Sequence, residues 1–169
     1  MILPGVGAYE DAAAKLRASG MAGILMEQAG AGKPLLGICL GMQLLLEKSF
    51  EYGEHEGLGL IAGNVVPIAG AAPAGYKIPH IGWNLLKLRK NAAGKTDKLF
   101  KYIEEGEYVY FVHSFYATDC GEATIATTEY GAELTAAVAA GNVYGCQFHP
   151  EKSGDVGMKI LKAFCEMEA

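Results

Sequence analysis

The sequence has no cluster of basic residues and no long apolar run, and each absence excludes a class of function. Its 14 Lys and Arg residues are spread over 169 positions beside 19 Asp and Glu residues, which gives a formal net charge of -5. Because clustered cations supply most of the non-specific affinity for nucleic acid, we expect no nucleic-acid partner. The longest uncharged apolar stretch, Pro34 to Leu46, is shorter than the roughly 18 residues of a membrane-spanning helix. We therefore expect no membrane association.

Cysteine is scarce, and neither cysteine nor histidine occurs in pairs with metal-ligand spacing. The four cysteines are far apart and form no CxxC pair: Cys39, Cys120, Cys146 and Cys165. This spacing argues against a disulfide framework or a structural zinc site and favours the reducing cytoplasm. The four histidines are equally scattered, so we expect no metal site and no cofactor.

Apolar residues make up 51% of the chain, and their arrangement predicts a single α/β domain over residues 1–169. Helical composition occurs in four segments: 8–28 with a break near Gly20 and Gly23, 40–48, 96–103 and 158–167. Strand-like runs occur at 35–38, 57–68, 78–88, 107–117, 123–128, 132–139 and 143–148. A short buried strand that leads directly into a helix, as at 35–48, is typical of α/β sheets. The runs in the second half predict antiparallel pairing.

The segment Gly37 to Gly41 reads G-I-C-L-G, which has the spacing of a nucleophile elbow, and it lies between the predicted strand and helix. In such a turn the glycines allow the two backbones to approach, and a helix N-terminus favours the thiolate of Cys39. The Leu40 amide would then point at a developing oxyanion. The alternative is a small buried cysteine that packs as an apolar residue.

The tripeptide His149-Pro150-Glu151 follows the last strand-like run and supplies a candidate base. A cysteine nucleophile requires a base within hydrogen-bond reach, and the base requires a group that orients it. If the chain turns at Pro150, His149 and Glu151 can fill these two roles. A strand-end histidine satisfied by a backbone carbonyl is the alternative, and it is the more common case for a histidine in isolation.

Two further features have a structural and a functional interpretation. The glycines on either side of Val6 leave backbone amides unobstructed, as an oxyanion loop requires, although Pro and Gly often mark only a turn. Trp83 and Tyr110, taken individually, are more simply core residues.

Together these motifs resemble those of the class I, or triad-type, glutamine amidotransferases. The resemblance rests on the elbow, on Gln43 and on the run from Gln147 to Glu151. Within the class it is strongest to the glutaminase subunits of imidazole glycerol phosphate synthases. Four stretches support this finer assignment: Leu3 to Tyr9, Pro79 to Asn84, Tyr110 to Tyr116 and His149 to Ser153. The family implies a flavodoxin-like, mostly parallel sheet flanked by helices.

The resemblance also implies a role for each matching residue. Cys39 would be the nucleophile, His149 its base and Glu151 the group that holds the imidazole, in a hydrolysis of glutamine to glutamate and ammonia. The amides of Val6 and Leu40 would stabilise the oxyanion, and the family's low activity without its partner would reflect a misaligned Val6 amide. Contacts to the substrate glutamine are implied for Gln43, Glu51, Ser114 and Phe115.

The implied partner is a (β/α)8-barrel cyclase subunit in a heterodimer. Trp83, Tyr110 and Lys152 would face this subunit, and ammonia would cross the interface to form imidazole glycerol phosphate and aminoimidazole carboxamide ribonucleotide in histidine biosynthesis. Family members carry a strand-helix-strand unit ahead of the Leu3 to Gly7 loop, so we expect an N-terminally truncated domain. The alternatives are another triad amidotransferase, a γ-glutamyl hydrolase or an inactive partner-binding fragment.

Overall fold

The computed structural model describes residues 1–168, and this part of the chain contains four α-helices and twelve β-strands. The helices are α1 (Tyr9–Ala18), α2 (Met21–Gly30), α3 (Leu40–Leu45) and α4 (Gly154–Cys165). The first six strands are β1 (Ile2–Gly5), β2 (Leu35–Cys39), β3 (Lys48–Ser49), β4 (His55–Glu56), β5 (Asn64–Pro67) and β6 (His80–Leu85). The last six are β7 (Lys87–Leu88), β8 (Tyr108–His113), β9 (Phe115–Thr118), β10 (Thr124–Glu129), β11 (Glu133–Ala140) and β12 (Val143–Cys146).

The central sheet has six strands in the order β1-β2-β12-β11-β10-β7. β1, β2 and β12 run parallel, whereas β11, β10 and β7 extend the sheet by antiparallel pairing. Two smaller sheets, β4-β3-β5-β9 and β6-β8, lie outside it. The predicted α/β fold with antiparallel strands in its second half is therefore confirmed. Within the described part of the chain, no helix combines the length and the apolarity that crossing a membrane would require.

β2 is buried along its whole length because it lies between β1 and β12 and has an apolar cluster on each face. Successive side chains of a strand point to opposite faces, so Leu35 and Leu36 belong to different clusters. Leu35 packs in the cluster that contains Tyr9 of α1 and Leu25 of α2. Leu36 belongs to the cluster that contains Ile160 of α4. The carboxyl end of β2 is thus packed against apolar clusters on both faces of the sheet.

The helix predicted over 96–103 is wrong, because this segment forms only a 3-10 turn at Lys98–Phe100. The Asp97 carboxylate accepts a hydrogen bond of 2.8 Å from the Leu99 amide and caps the turn. Its backbone hydrogen bonds join residues three apart, from Phe100 to Asp97 and from Lys101 to Lys98, and not the residues four apart that an α-helix joins. The helix predicted over 40–48 is also shorter, since it ends at Leu45 and is followed by β3.

Candidate active site

The predicted elbow is present, since β2 ends at Cys39 and α3 begins at the next residue. Cys39 has φ 54° and ψ -113°, a conformation that costs a non-glycine residue about 1–3 kcal/mol and that clusters at functional sites. A Cβ atom on Gly37 would lie 2.7 Å from backbone atoms of Gly41. A Cβ atom on Gly41 would overlap the Leu3 carbonyl oxygen of β1. The two glycines therefore allow strand and helix to approach closely enough to form the turn.

Gly41→Ala is expected to destabilise the protein by about 2–3 kcal/mol or more, because the added methyl group would force apart the backbones of α3 and β1. Gly23→Ala on α2 is the matched control, since among residues 1–168 no atom beyond its chain neighbours and the nearby backbone of its own helix lies within 4 Å of the added Cβ. Alanine there is expected to stabilise the helix by up to about 1 kcal/mol. Urea unfolding of both variants measures the difference, and equal stabilities would contradict the close approach.

The helix N-terminus was expected to favour the thiolate of Cys39, but burial has the larger and opposite effect on this side chain. Burial raises the pKa of the Cys39 thiol to about 11, which outweighs the lowering effect of the hydrogen bond from the Leu40 backbone amide. The nearby Glu151 carboxylate raises this pKa further, and Lys152 lowers it. Cys39 is therefore a thiol at neutral pH and needs a base to become nucleophilic.

A candidate base lies directly after β12, where His149 begins a 3-10 turn at Pro150–Lys152. The turn places Glu151 Oε1 2.7 Å from His149 Nδ1. Because a carboxylate only accepts hydrogen bonds, Nδ1 carries a proton, and Nε2 is the nitrogen that bears the lone pair when the ring is neutral. Nε2 is buried and has no hydrogen-bond partner among residues 1–168. The alternative of a strand-end histidine satisfied by a backbone carbonyl is therefore wrong.

Cys39 and His149 line one cavity of about 350 Å³. Every residue predicted to contact glutamine or to supply an oxyanion amide lines it too: Val6, Leu40, Gln43, Glu51, Ser114 and Phe115. Four further residues, which had no role predicted from the sequence, also contribute side chains to the lining: Tyr52, Pro79, Val112 and His113. Desolvation by burial raises the pKa of the Glu51 carboxyl above its ordinary value. The cavity therefore combines a thiol, an imidazole lone pair and a carboxyl group.

A chain of hydrogen bonds runs beneath this cavity to the sulfur atom. Gln43 Nε2 lies 3.1 Å from the Phe115 carbonyl oxygen and 2.9 Å from Gln147 Oε1. Gln147 Nε2 lies 3.8 Å from Cys39 Sγ. In the sequence, Gln147 is recognisable only as part of a motif, with no role predicted for it. Its position two residues before His149 was the available signal, because residues two apart in an extended segment point to the same side.

Two histidines that are distant in sequence meet beside the same carbonyl. His113 Nδ1 lies 2.8 Å from the Phe115 oxygen, and His113 Nε2 lies 3.0 Å from His80 Nδ1. The register of β6 and β8 makes the two residues direct neighbours. Burial lowers the pKa of each imidazole to about 4, so both are neutral at pH 7. His80 stacks on Tyr130 at 3.9 Å between ring centroids.

The three residues predicted to face a partner lie outside the cavity. Trp83 of β6 and Tyr110 of β8 are register partners whose ring centroids are 6.0 Å apart. Trp83 is 54% exposed, and two further residues on the same side of β6 are exposed as well, Ile81 at 59% and Leu85 at 38%. The interpretation of Trp83 as a core residue is therefore wrong. Lys152 is exposed on the 3-10 turn beside the candidate base.

Comparisons with known proteins agree on one family. The model of the class-I glutamine amidotransferases matches residues 1–167. The chain is 52% identical over 168 residues to the imidazole glycerol phosphate synthase subunit HisH of Caldanaerobacter subterraneus subsp. tengcongensis, covering 99% of this chain and 78% of that one. It is 51% identical over 169 residues to the HisH subunit of Wolinella succinogenes, covering 99% of this chain and 80% of that one.

Solved structures show the same fold at lower identity. A crystal structure of a glutamine amidotransferase is 20% identical with a TM-score of 0.68, and the match covers 97% of this chain and 78% of that one. The structure of PurLQS from Thermotoga maritima is 23% identical with a TM-score of 0.68, covering 97% and 77% of the two chains.

Proposed function

This chain belongs to the class I glutamine amidotransferases, and from that membership we propose that it is the glutaminase subunit of an imidazole glycerol phosphate synthase. In this role it hydrolyses glutamine to glutamate and ammonia, and a cyclase subunit uses the ammonia in histidine biosynthesis. The observation that supports the chemistry best is that Cys39 and His149 line the same cavity, with His149 Nε2 left without a hydrogen-bond partner among residues 1–168.

The proposed reaction begins with a neutral thiol and a neutral imidazole. His149 Nε2 takes the proton of the Cys39 thiol as the sulfur attacks the carboxamide carbon of glutamine. The electron pair of the carbonyl double bond moves to the oxygen. Glu151 accepts a hydrogen bond from His149 Nδ1 and stabilises the imidazolium that forms.

The tetrahedral intermediate then loses ammonia. Its carbon-nitrogen bond breaks as His149 returns the proton to the departing nitrogen, which leaves a γ-glutamyl thioester on Cys39. A water molecule attacks the thioester and gives a proton to His149, and the sulfur departs and regains that proton. Glutamate leaves, and the thiol and imidazole are restored. We assign the stabilisation of the oxyanion to the backbone amides of Leu40 and Val6, which line the cavity.

Four residues are proposed to hold the substrate. The Glu51 carboxylate pairs with the α-ammonium group of glutamine, and this pairing offsets the desolvation that raises its pKa in the empty cavity. Ser114 and Phe115 contribute a second segment of the cavity lining. Gln43, which also lines the cavity, presents its amide to the substrate. Two carbonyl groups of this segment already have donors, since Ser114 O binds the Ile68 amide and Phe115 O binds Gln43.

The partner is proposed to be a (β/α)8-barrel cyclase subunit that binds the exposed strip of β6. This strip presents Ile81, Trp83 and Leu85, with Tyr110 beside it, and large exposed apolar side chains commonly mark protein interfaces. Lys152 adds a cation close to the candidate base. The backbone amide of His149 donates a hydrogen bond to the Tyr110 carbonyl of β8. The proposed interface would therefore lie next to the candidate base.

Ammonia release from glutamine tests the proposed function. We expect slow release by this chain alone and release about 10- to 100-fold faster with a cyclase subunit that holds its acceptor substrate, the usual strength of coupling between sites. Cys39→Ala serves as the blank. Equally fast release without the partner would instead indicate a free γ-glutamyl hydrolase, and no release by the folded chain under either condition would exclude a glutaminase.

A further inference from the structure

The Phe115 carbonyl group determines the orientation of every side chain in the hydrogen-bond chain beneath the cavity. A carbonyl oxygen only accepts, so the atoms of His113 and Gln43 that approach it must both be donors. The Gln43 amide therefore directs its nitrogen towards Phe115. The same nitrogen lies 2.9 Å from the Gln147 side chain, which must present its oxygen there.

The orientation of Gln147 follows from that of Gln43. Because its oxygen accepts from Gln43, its nitrogen points the other way and donates to Cys39 Sγ at 3.8 Å. Gln147 is fully buried, and its backbone amide binds the Ala136 carbonyl of β11 at 2.9 Å. Neither the side chain nor the backbone of Gln147 can turn without leaving a buried polar group unpaired.

We propose that Gln147 is a positioning residue that donates a hydrogen bond to the nucleophilic sulfur and fixes the amide of Gln43 for substrate binding. The proposal rests on the glutaminase function proposed above. It assigns one side chain to two tasks, because its nitrogen serves the sulfur of Cys39 and its oxygen serves Gln43.

The arrangement also determines which chemical group Gln43 can recognise. Its two N–H groups are used by Phe115 and Gln147, so Oε1 is the only atom of its amide that remains free to meet a ligand. This oxygen can only accept, and it therefore binds an N–H donor of the substrate and repels a carboxylate. If Gln147 lost its oxygen, the Gln43 amide could rotate and present its nitrogen to the cavity instead.

The first arm of the test measures the reactivity of the Cys39 sulfur. Gln147→Met removes both polar atoms at nearly the same volume, and iodoacetamide labelling of Cys39 is followed by mass spectrometry of its peptide. Loss of the donor is expected to raise the pKa of the Cys39 thiol by about one unit, which lowers the thiolate fraction at pH 8. Because a thiolate of higher pKa is also more nucleophilic, the two effects partly cancel, and labelling at pH 8 is expected to slow about threefold. The exposed Cys165 is the internal reference for reagent and pH.

The second arm measures the KM for the substrate glutamine. Gln147→Met is expected to raise the KM for glutamine about five- to tenfold, the usual effect of losing one hydrogen bond. Gln147→Glu keeps the oxygen that accepts from Gln43, so its KM stays within about twofold of the wild type while the labelling of Cys39 still slows. Gln28→Met on α2, which does not line the cavity, is the matched control and is expected to change neither quantity.

The two arms separate the possible failures. Labelling and KM that match the Gln28→Met control would overturn the proposal, and an equal rise of KM in the Met and Glu variants would overturn the role of the oxygen. A role in packing alone would lower the melting temperature without separating the two variants. If the wild type labels normally but releases no ammonia, the glutaminase function fails while the labelling arm still tests the contact to sulfur. Should Gln147→Met not fold, Gln147→Glu decides.

Discussion

Cys39→Ser is expected to abolish glutamine hydrolysis, with a loss in kcat of at least about 10⁴-fold. The hydroxyl of serine is a far weaker acid than the thiol, and the buried elbow already raises the pKa of Cys39 to about 11. His149 would then have to remove a much less acidic proton in an environment that disfavours the anion. Ammonia release in the loaded cyclase complex measures the effect, because we expect the rate of the wild type to be highest there.

A matched substitution controls for changes in structure. Cys165→Ser makes the same chemical change at the exposed end of α4, outside the cavity, and is expected to retain full activity. Both variants are expected to bind the cyclase as the wild type does, since neither residue belongs to the exposed strip of β6. Hydrolysis by the Cys39→Ser variant at more than about one-tenth of the wild-type rate would contradict a cysteine nucleophile.

His149→Gln is expected to lower kcat by about 10³-fold at pH 7, since a positioned base contributes about 10²–10⁴-fold. Without the base the reaction depends on the spontaneous thiolate fraction. With a thiol pKa of about 11, that fraction is about 10⁻⁴ at pH 7 and rises about tenfold for each pH unit. The activity of the variant is therefore expected to increase steeply with pH, and the loss relative to the wild type is expected to shrink.

The pH profile between 7 and 10 provides the internal control for His149→Gln. A variant that merely distorts the elbow would lose the same factor at every pH, whereas loss of the base gives the steep rise. Glu151→Gln is expected to show a smaller loss, because its amide still accepts a hydrogen bond from His149 Nδ1 at 2.7 Å but no longer stabilises the imidazolium. A flat profile for His149→Gln would contradict its role as the base.

Several features were predictable because they depend on short segments. The buried strand at 35–38 and the turn after it follow from a short apolar run between glycines, and both are present as β2 and the elbow. The turn at Pro150 that joins His149 to Glu151 spans three residues and is likewise present. The family resemblance added the residues that line the cavity from other segments, such as Val6 and Ser114.

Other features were not predictable because they depend on burial and on register between distant strands. Helical composition alone predicted a helix over 96–103, but a single turn was sufficient to bury Leu99 and Phe100. Position at a helix N-terminus favours the thiolate of Cys39, but desolvation has the larger effect on its pKa and the opposite sign. Neither effect is visible in a local pattern of residues.

By itself, the sequence determined the elbow at Cys39, the pairing of His149 with Glu151 and the α/β class of the fold. These depend on contacts between residues close in the chain, which local spacing and glycine placement describe well. Only the tertiary structure decided that Gln147 meets both Gln43 and the Cys39 sulfur, and that His80 meets His113. Those contacts join residues that are far apart in the sequence, and their hydrogen-bond directions follow from one backbone carbonyl that can only accept.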